Sequence, residues 1–158
     1  VAPETILNYL KACEEAYLLY RLKSQDINGK KVLKVSKKYY VADHGLREAV
    51  IGVNLQNVEI VLENIVGLEL LRRGYKVCVG RVGTKEIDFV GEKQGDKLYV
   101  QVCYLLSDEA TIQREFGSLL EVRDNYPKLV LYKEGSFRRN YEGIPAIRIE
   151  DWLAGKNV

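Results

Sequence analysis

The sequence predicts an α/β protein, an α+β arrangement on a mixed sheet, and three observations carry that reading. From residue 58 the elements run α-β-β-β-α-β. Turns at Asn28-Gly29 and Gln94-Gly95-Asp96 join extended runs as hairpins, because Asn-Gly readily takes the positive φ values of a tight β-turn. A helix separates the third and fourth strands of the series, so a right-handed crossover should leave those two parallel.

Pro3 marks a helix start, and Ile6, Leu7, Leu10, Cys13, Ala16 and Tyr17 follow at helical spacing. Residues 18–23 read as extended, Asp26-Ile27-Asn28-Gly29 as the turn, and Val32, Val35 and Tyr39–Val41 as the return strand. A helix followed by a basic two-stranded ribbon is the pattern of a winged-helix tail. Asp43 should cap a short helix over Leu46–Val50. The next helix, about Val58–Arg73, has apolar residues nearly all round and is expected to be largely buried. Gly74 ends it, with Arg72 and Arg73 in the last turn, where the helix dipole favours cations. Strands are expected near Tyr75–Val79, Glu86–Val90 and Lys97–Tyr104. Ser107-Asp108 should cap a helix over Glu109–Asn125, and Pro127 separates it from a strand at Leu129–Tyr132. A last strand at Ile144–Ile149 runs into a short turn or helix ending at Leu153.

With 158 residues, 47% hydrophobic and 29% charged, the chain has the composition of a soluble globular domain. No apolar run approaches the ~20 residues that span a bilayer. The chain opens on Val1 and contains no Met, which reads as a cut inside a longer protein. Cys13, Cys78 and Cys103 lie far apart and His44 is the single histidine. That pattern argues against a zinc site or a disulfide framework and favours a reducing cytoplasm. The net charge is +2, yet residues 21–38 hold seven basic side chains against Asp26, a local +6 that leaves −4 elsewhere. Arg21, Lys23, Lys30, Lys31, Lys34, Lys37 and Lys38 form this strip. It would either neutralise phosphates without base specificity or serve as a solvated hairpin protected against edge pairing.

Several stretches, in order and over most of the chain, carry a resemblance. They are Lys38-Tyr39-Tyr40-Val41-Ala42-Asp43-His44-Gly45-Leu46-Arg47, Leu62-Glu63-Asn64-Ile65-Val66, Glu69-Leu70-Leu71-Arg72-Arg73-Gly74-Tyr75, Lys85-Glu86-Ile87-Asp88-Phe89, Val100-Gln101-Val102-Cys103-Tyr104 and Thr111-Ile112-Gln113-Arg114-Glu115. With Glu63 on the first helix and Asp88 on the second strand, the chain resembles the PD-(D/E)XK nuclease-like superfamily. More narrowly, it is similar to the C-terminal domain of uncharacterised function carried by bacterial and archaeal AAA+ ATPases. The resemblance implies a restriction-endonuclease-like αβββαβ core over residues 43–158, preceded over 1–42 by a partial winged-helix tail, a helix and hairpin wing. It also implies a P-loop ATPase module upstream, the place where ATP would bind; no Walker pattern occurs in these residues.

In such a nuclease an acidic pair holds Mg²⁺ and a lysine assists the attack on phosphorus. The corresponding positions here are Glu63, Asp88, Gln101 and Cys103, with Arg114 able to stand in for the missing lysine. Asp88 and Glu63 remain the candidate metal ligands. Gln101 offers only a neutral oxygen, and Cys103 cannot supply a fixed positive charge. Glu63 could instead pair with Arg114 in a buried polar network, Gln101 could hydrogen-bond Asp88, and Cys103 could fill apolar space. Glu86 shares a sheet face with Asp88 by spacing but is expected to face solvent.

The expected function is therefore a non-catalytic accessory domain that recognises nucleic acid or a protein partner, or regulates the ATPase ring. The alternatives are a divergent Mg²⁺-dependent DNA endonuclease and a pure protein-interaction module. No membrane partner is expected. What separates them is whether Glu63, Asp88 and Gln101 surround an open cleft or close into a hydrogen-bonded knot.

Overall fold

The computed structural model describes residues 2–29, 31–52, 57–137 and 140–156, and for 31–36 the backbone alone. Helix α1 (Pro3–Glu15) leads into the hairpin β1 (Leu19–Asp26) and β2 (Lys31–Val41), followed by α2 (His44–Ile51) and α3 (Val58–Arg72). Then come β3 (Lys76–Val82), β4 (Lys85–Lys93), β5 (Asp96–Leu105), α4 (Glu109–Leu120), β6 (Lys128–Glu134), β7 (Asn140–Tyr141), β8 (Ile144–Arg148) and α5 (Ile149–Leu153). Among the described residues the strands form one mixed sheet in the order β2-β1-β3-β4-β5-β6-β8-β7. As the crossover rule requires, β5 and β6 run parallel with α4 between them.

The sheet separates two apolar layers. One lies under α3 and α5 and includes Leu62, Val66, Leu70, Phe89, Val100, Val102, Leu131 and Trp152. The other lies under α4 and includes Ile87, Val90, Tyr99, Cys103, Phe116 and Leu119. Gly67 lets α3 sit close to the sheet, since a Cβ there would stand 3.0 Å from the Phe89 ring. Arg73 stacks over Trp152 at 4.1 Å and donates to its carbonyl at 2.7 Å, tying α5 to the end of α3.

Two expectations are corrected. Helix α3 is not buried all round: only Leu62, Asn64, Val66, Gly67 and Leu70 are buried, and Ile60 is 55% exposed. The sheet covers one side of the helix, and its remaining apolar residues border solvent or an open groove beside Leu153. Helix α4 stops at Leu120 rather than near Asn125. Asp124 holds the chain in a turn there, accepting from the Tyr99 hydroxyl at 2.7 Å and from Lys128 at 3.3 Å.

Two register slips position the site. In the hairpin, Lys23 pairs with Lys37 but Ser24 with Leu33, so β2 carries extra residues. In β3–β4, Cys78 pairs with Val90 but Gly80 with Ile87, so β4 fits one residue more than its partner. Such bulges bend a strand and re-aim its side chains. The hairpin is continuous with the rest of the sheet, because β1 runs parallel to β3 over Ser24–Asp26.

Candidate functional site

The β4 bulge explains how Asp88 reaches the α3 side. Ile87 and Val90 both belong to the layer under α4, whereas Phe89 belongs to the layer under α3. Regular alternation is broken between them, and Asp88 sits at the break, 6% exposed. Its Oδ2 accepts from the Val102 amide at 2.9 Å, and its own amide donates to Gln101 Oε1 at 3.3 Å.

The cation that meets these carboxylates is Lys38, at the far end of β2. Its Nζ lies 2.7 Å from Glu86 Oε1, 3.2 Å from Glu63 Oε2 and 4.0 Å from Asp88 Oδ1. Arg81 approaches the other Glu86 oxygen at 3.6 Å. Asn64, next to Glu63, anchors β2 against α3: its Oδ1 accepts from the Val41 amide at 2.8 Å and its Nδ2 donates to the Val41 carbonyl at 2.9 Å. Tyr40 packs on Phe89 with ring centroids 5.6 Å apart. Its hydroxyl is buried and faces the Glu63 carboxylate.

Burial, and then the charge of Glu63, push the Asp88 carboxyl up to about 8. Burial works against the Lys38 ammonium, but the hydrogen bond to Glu86 and the charges of Glu63 and Asp88 outweigh it and hold the group above its usual range. The Tyr40 phenol is also held above its usual range, by burial first and then by the charges of Glu63, Asp88 and Glu86.

Glu63 and Asp88 both meet Lys38, and Gln101 accepts from the Asp88 amide, so the three gather in a closed knot. Arg114 does not complete it: its guanidinium pairs with the neighbouring Glu115 at 2.7 Å and stays largely exposed. Cys103 lies in the apolar layer under α4, and burial pushes its thiol up to about 12. That makes it a filler rather than a nucleophile at neutral pH. Glu86 pairs with Lys38 rather than standing free in solvent, on the sheet face it shares with Asp88 by i, i+2 spacing, and its side chain stays 36% exposed.

No family model matches this chain. The chain is 42% identical over 149 residues to a protein of Haemophilus influenzae described as "Uncharacterized protein". The match takes in 94% of the chain but 36% of that relative. The chain spans little more than a third of the curated relative it matches.

The basic strip is partly spent within the fold. Lys38 is drawn into the carboxylates, and Arg21 pairs with Glu14 at 3.2 Å. Lys23 and Lys37 are exposed opposite one another across the hairpin. Lys30 lies outside the described residues, as do the side chains of Lys31 and Lys34. Among the described residues no helix is long and apolar enough to cross a membrane.

The site can be tested against the Mg²⁺ that the resemblance implies. Mg²⁺ demands near-octahedral oxygen ligands at about 2.0–2.1 Å. Here an ammonium stands between the carboxylates, one Asp88 oxygen is taken by the Val102 amide, and the Gln101 oxygen is taken by the Asp88 amide. Among the described residues no three His, Cys, Asp or Glu side chains are placed to hold a metal. As arranged, these residues do not fit the ion. What signalled Glu63 and Asp88 was their place in the element order; Lys38 had no local signal beyond its basic neighbours.

Proposed function

We propose that the chain is a nuclease-like, non-catalytic accessory domain of an AAA+ ATPase, serving recognition of nucleic acid or a partner protein, or regulation of the ATPase ring. The observation that carries the inert reading is Lys38 Nζ seated among Glu63, Glu86 and Asp88. The ammonium balances charge where a nuclease needs a metal, and Asp88 Oδ2 and Gln101 Oε1 each accept from a backbone amide. The link to an ATPase rests on the ordered sequence stretches, and a relative much longer than the matched region leaves length for another module.

The test is calorimetric titration of Mg²⁺ and Mn²⁺ into the chain and its Asp88→Ala variant, beside a supercoiled-plasmid nicking assay. Neither binding heat nor nicking is expected. Metal-dependent nicking that Asp88→Ala abolishes would establish the other reading, a divergent Mg²⁺-dependent DNA endonuclease. That reading draws on the same cluster, in which three carboxylates and a lysine do converge.

A further inference from the structure

We infer that the outer edge of β2 is a docking edge for an extended, acidic segment of a protein partner, which joins the sheet there as a further strand. It rests on the recognition role proposed above and names the partner class; it draws nothing from the carboxylate knot.

Backbone geometry marks the edge. Among the described residues β2 ends the sheet, with β1 on one side of it. The Ala42 amide donates to the Leu18 carbonyl at 3.0 Å, so the next pair, Leu19 with Val41, is the kind whose backbone groups point away from the partner strand. By the same alternation Tyr39 and Lys37 turn their N–H and C=O outward as well. At Val41 the outward groups are already satisfied. The Asn64 side chain accepts from the Val41 amide at 2.8 Å and donates to its carbonyl at 2.9 Å. A carboxamide carries the donor and acceptor of a peptide group, so Asn64 does for Val41 what one residue of an added strand would do. The edge then continues through Tyr39 and Lys37. Main-chain pairing along such an edge supplies affinity in strand addition, and side chains at alternate positions supply specificity.

Charge decides which strand fits. Leu22 and Tyr40 point into the core, and Arg21, Lys23 and Lys37 stand exposed on the opposite face of the hairpin. Lys23 and Lys37 lie directly opposite one another, a like-charge pairing that destabilises two strands. Acidic side chains at alternate positions of an added strand lie over this face and relieve it. The same lysines oppose a second copy of β2, which would bring lysine against lysine. A nucleic-acid phosphate can meet the ammonium groups but carries no donor for the outward carbonyls of Lys37 and Tyr39. A peptide strand brings donor and acceptor together.

The probe is a fluorescent, end-blocked peptide of about seven residues, alternating Glu and Thr, titrated into the chain and followed by anisotropy. It should bind, and Lys23→Glu with Lys37→Glu should weaken it at least about ten-fold. Hydrogen exchange at the Lys37 and Tyr39 amides should slow at least about ten-fold on saturation, whereas the Lys38 amide, turned toward β1, should not change. N-methylation of one alternate set of peptide amides should abolish binding and methylation of the other set should leave it; binding that survives both overturns the inference. The methylated peptides need no altered protein, so this arm is independent of how the charge-reversed variant folds. Duplex DNA that binds where the peptide does not also overturns the inference, and leaves recognition of nucleic acid in place. Exchange at Tyr39 that slows with protein concentration in the absence of peptide assigns the edge to a second copy and overturns it too. Metal-dependent plasmid nicking would overturn the inert reading without touching the edge.

Discussion

Lys38 Nζ lies 2.7 Å from Glu86 Oε1, joining the end of one hairpin strand to a strand that is not its neighbour in the sheet. The pair also brings Glu63 and Asp88 into one polar knot beside the core.

Removing that ammonium should weaken the fold. Lys38 is about two-thirds buried among its partners, so the effect lies between an exposed ion pair and a buried one. Lys38→Met is expected to lower stability by about 1–2 kcal/mol in metal-free buffer. Urea denaturation followed by circular dichroism measures it, and an unchanged midpoint would show that the knot contributes nothing to stability.

The pH dependence follows from Asp88. Its folded value, about 8, lies above its ordinary 3.8, so the folded state holds this proton more tightly than the unfolded state. Its contribution is fully present below about pH 4 and is lost as pH climbs through about 8. Glu69 has the opposite sign, since hydrogen bonding from Arg72 lowers it to about 2. Its contribution stands above its ordinary 4.5 and fades only as pH falls toward 2. Between pH 5 and 8, therefore, urea midpoints should fall with rising pH, and Asp88→Asn should flatten the slope. A slope unchanged in Asp88→Asn would refute the assignment.

Asn64 is a structural clamp. It is 4% exposed and makes both of its hydrogen bonds to Val41. Asn64→Ala strands the half-buried Val41 amide and carbonyl, and should cost about 1–3 kcal/mol. Amide exchange at Val41 should accelerate in the same variant, and protection equal to the unaltered chain would contradict the clamp.

The exposed hairpin lysines are the remaining candidates for phosphate contact. Lys23 and Lys37 face each other across β1 and β2. If duplex DNA is the partner, affinity measured by fluorescence anisotropy should fall steeply with salt. Lys23→Glu with Lys37→Glu should weaken it roughly ten-fold at 50 mM salt and reduce the salt slope by about two. Equal binding by the charge-reversed protein would remove the hairpin from consideration.

Much of the fold was legible because local chemistry writes it. Asn28-Gly29 and Gln94-Gly95 place hairpins, Asp43 and Asp108 cap their helices by accepting from Leu46 and Thr111 amides, and the helix between β5 and β6 makes those strands parallel. The two-residue strand β7 was not legible, since it lacks the length for a period. Of the site, the sequence by itself placed Glu63 on the first helix and Asp88 on the second strand of the series, and it marked Gln101 and Cys103 as poor substitutes for a carboxylate and a lysine. The tertiary structure alone decided which cation meets them. Lys38 is 25 positions from Glu63, and its approach depends on the register slip in the hairpin, the bulge in β4 and the Asn64 clamp. Propensity and periodicity act over a few residues, whereas long-range charge pairing is set by register and by the packing of α3 on the sheet. That is why a lysine that reads as part of a surface strip becomes the centre of a half-buried knot.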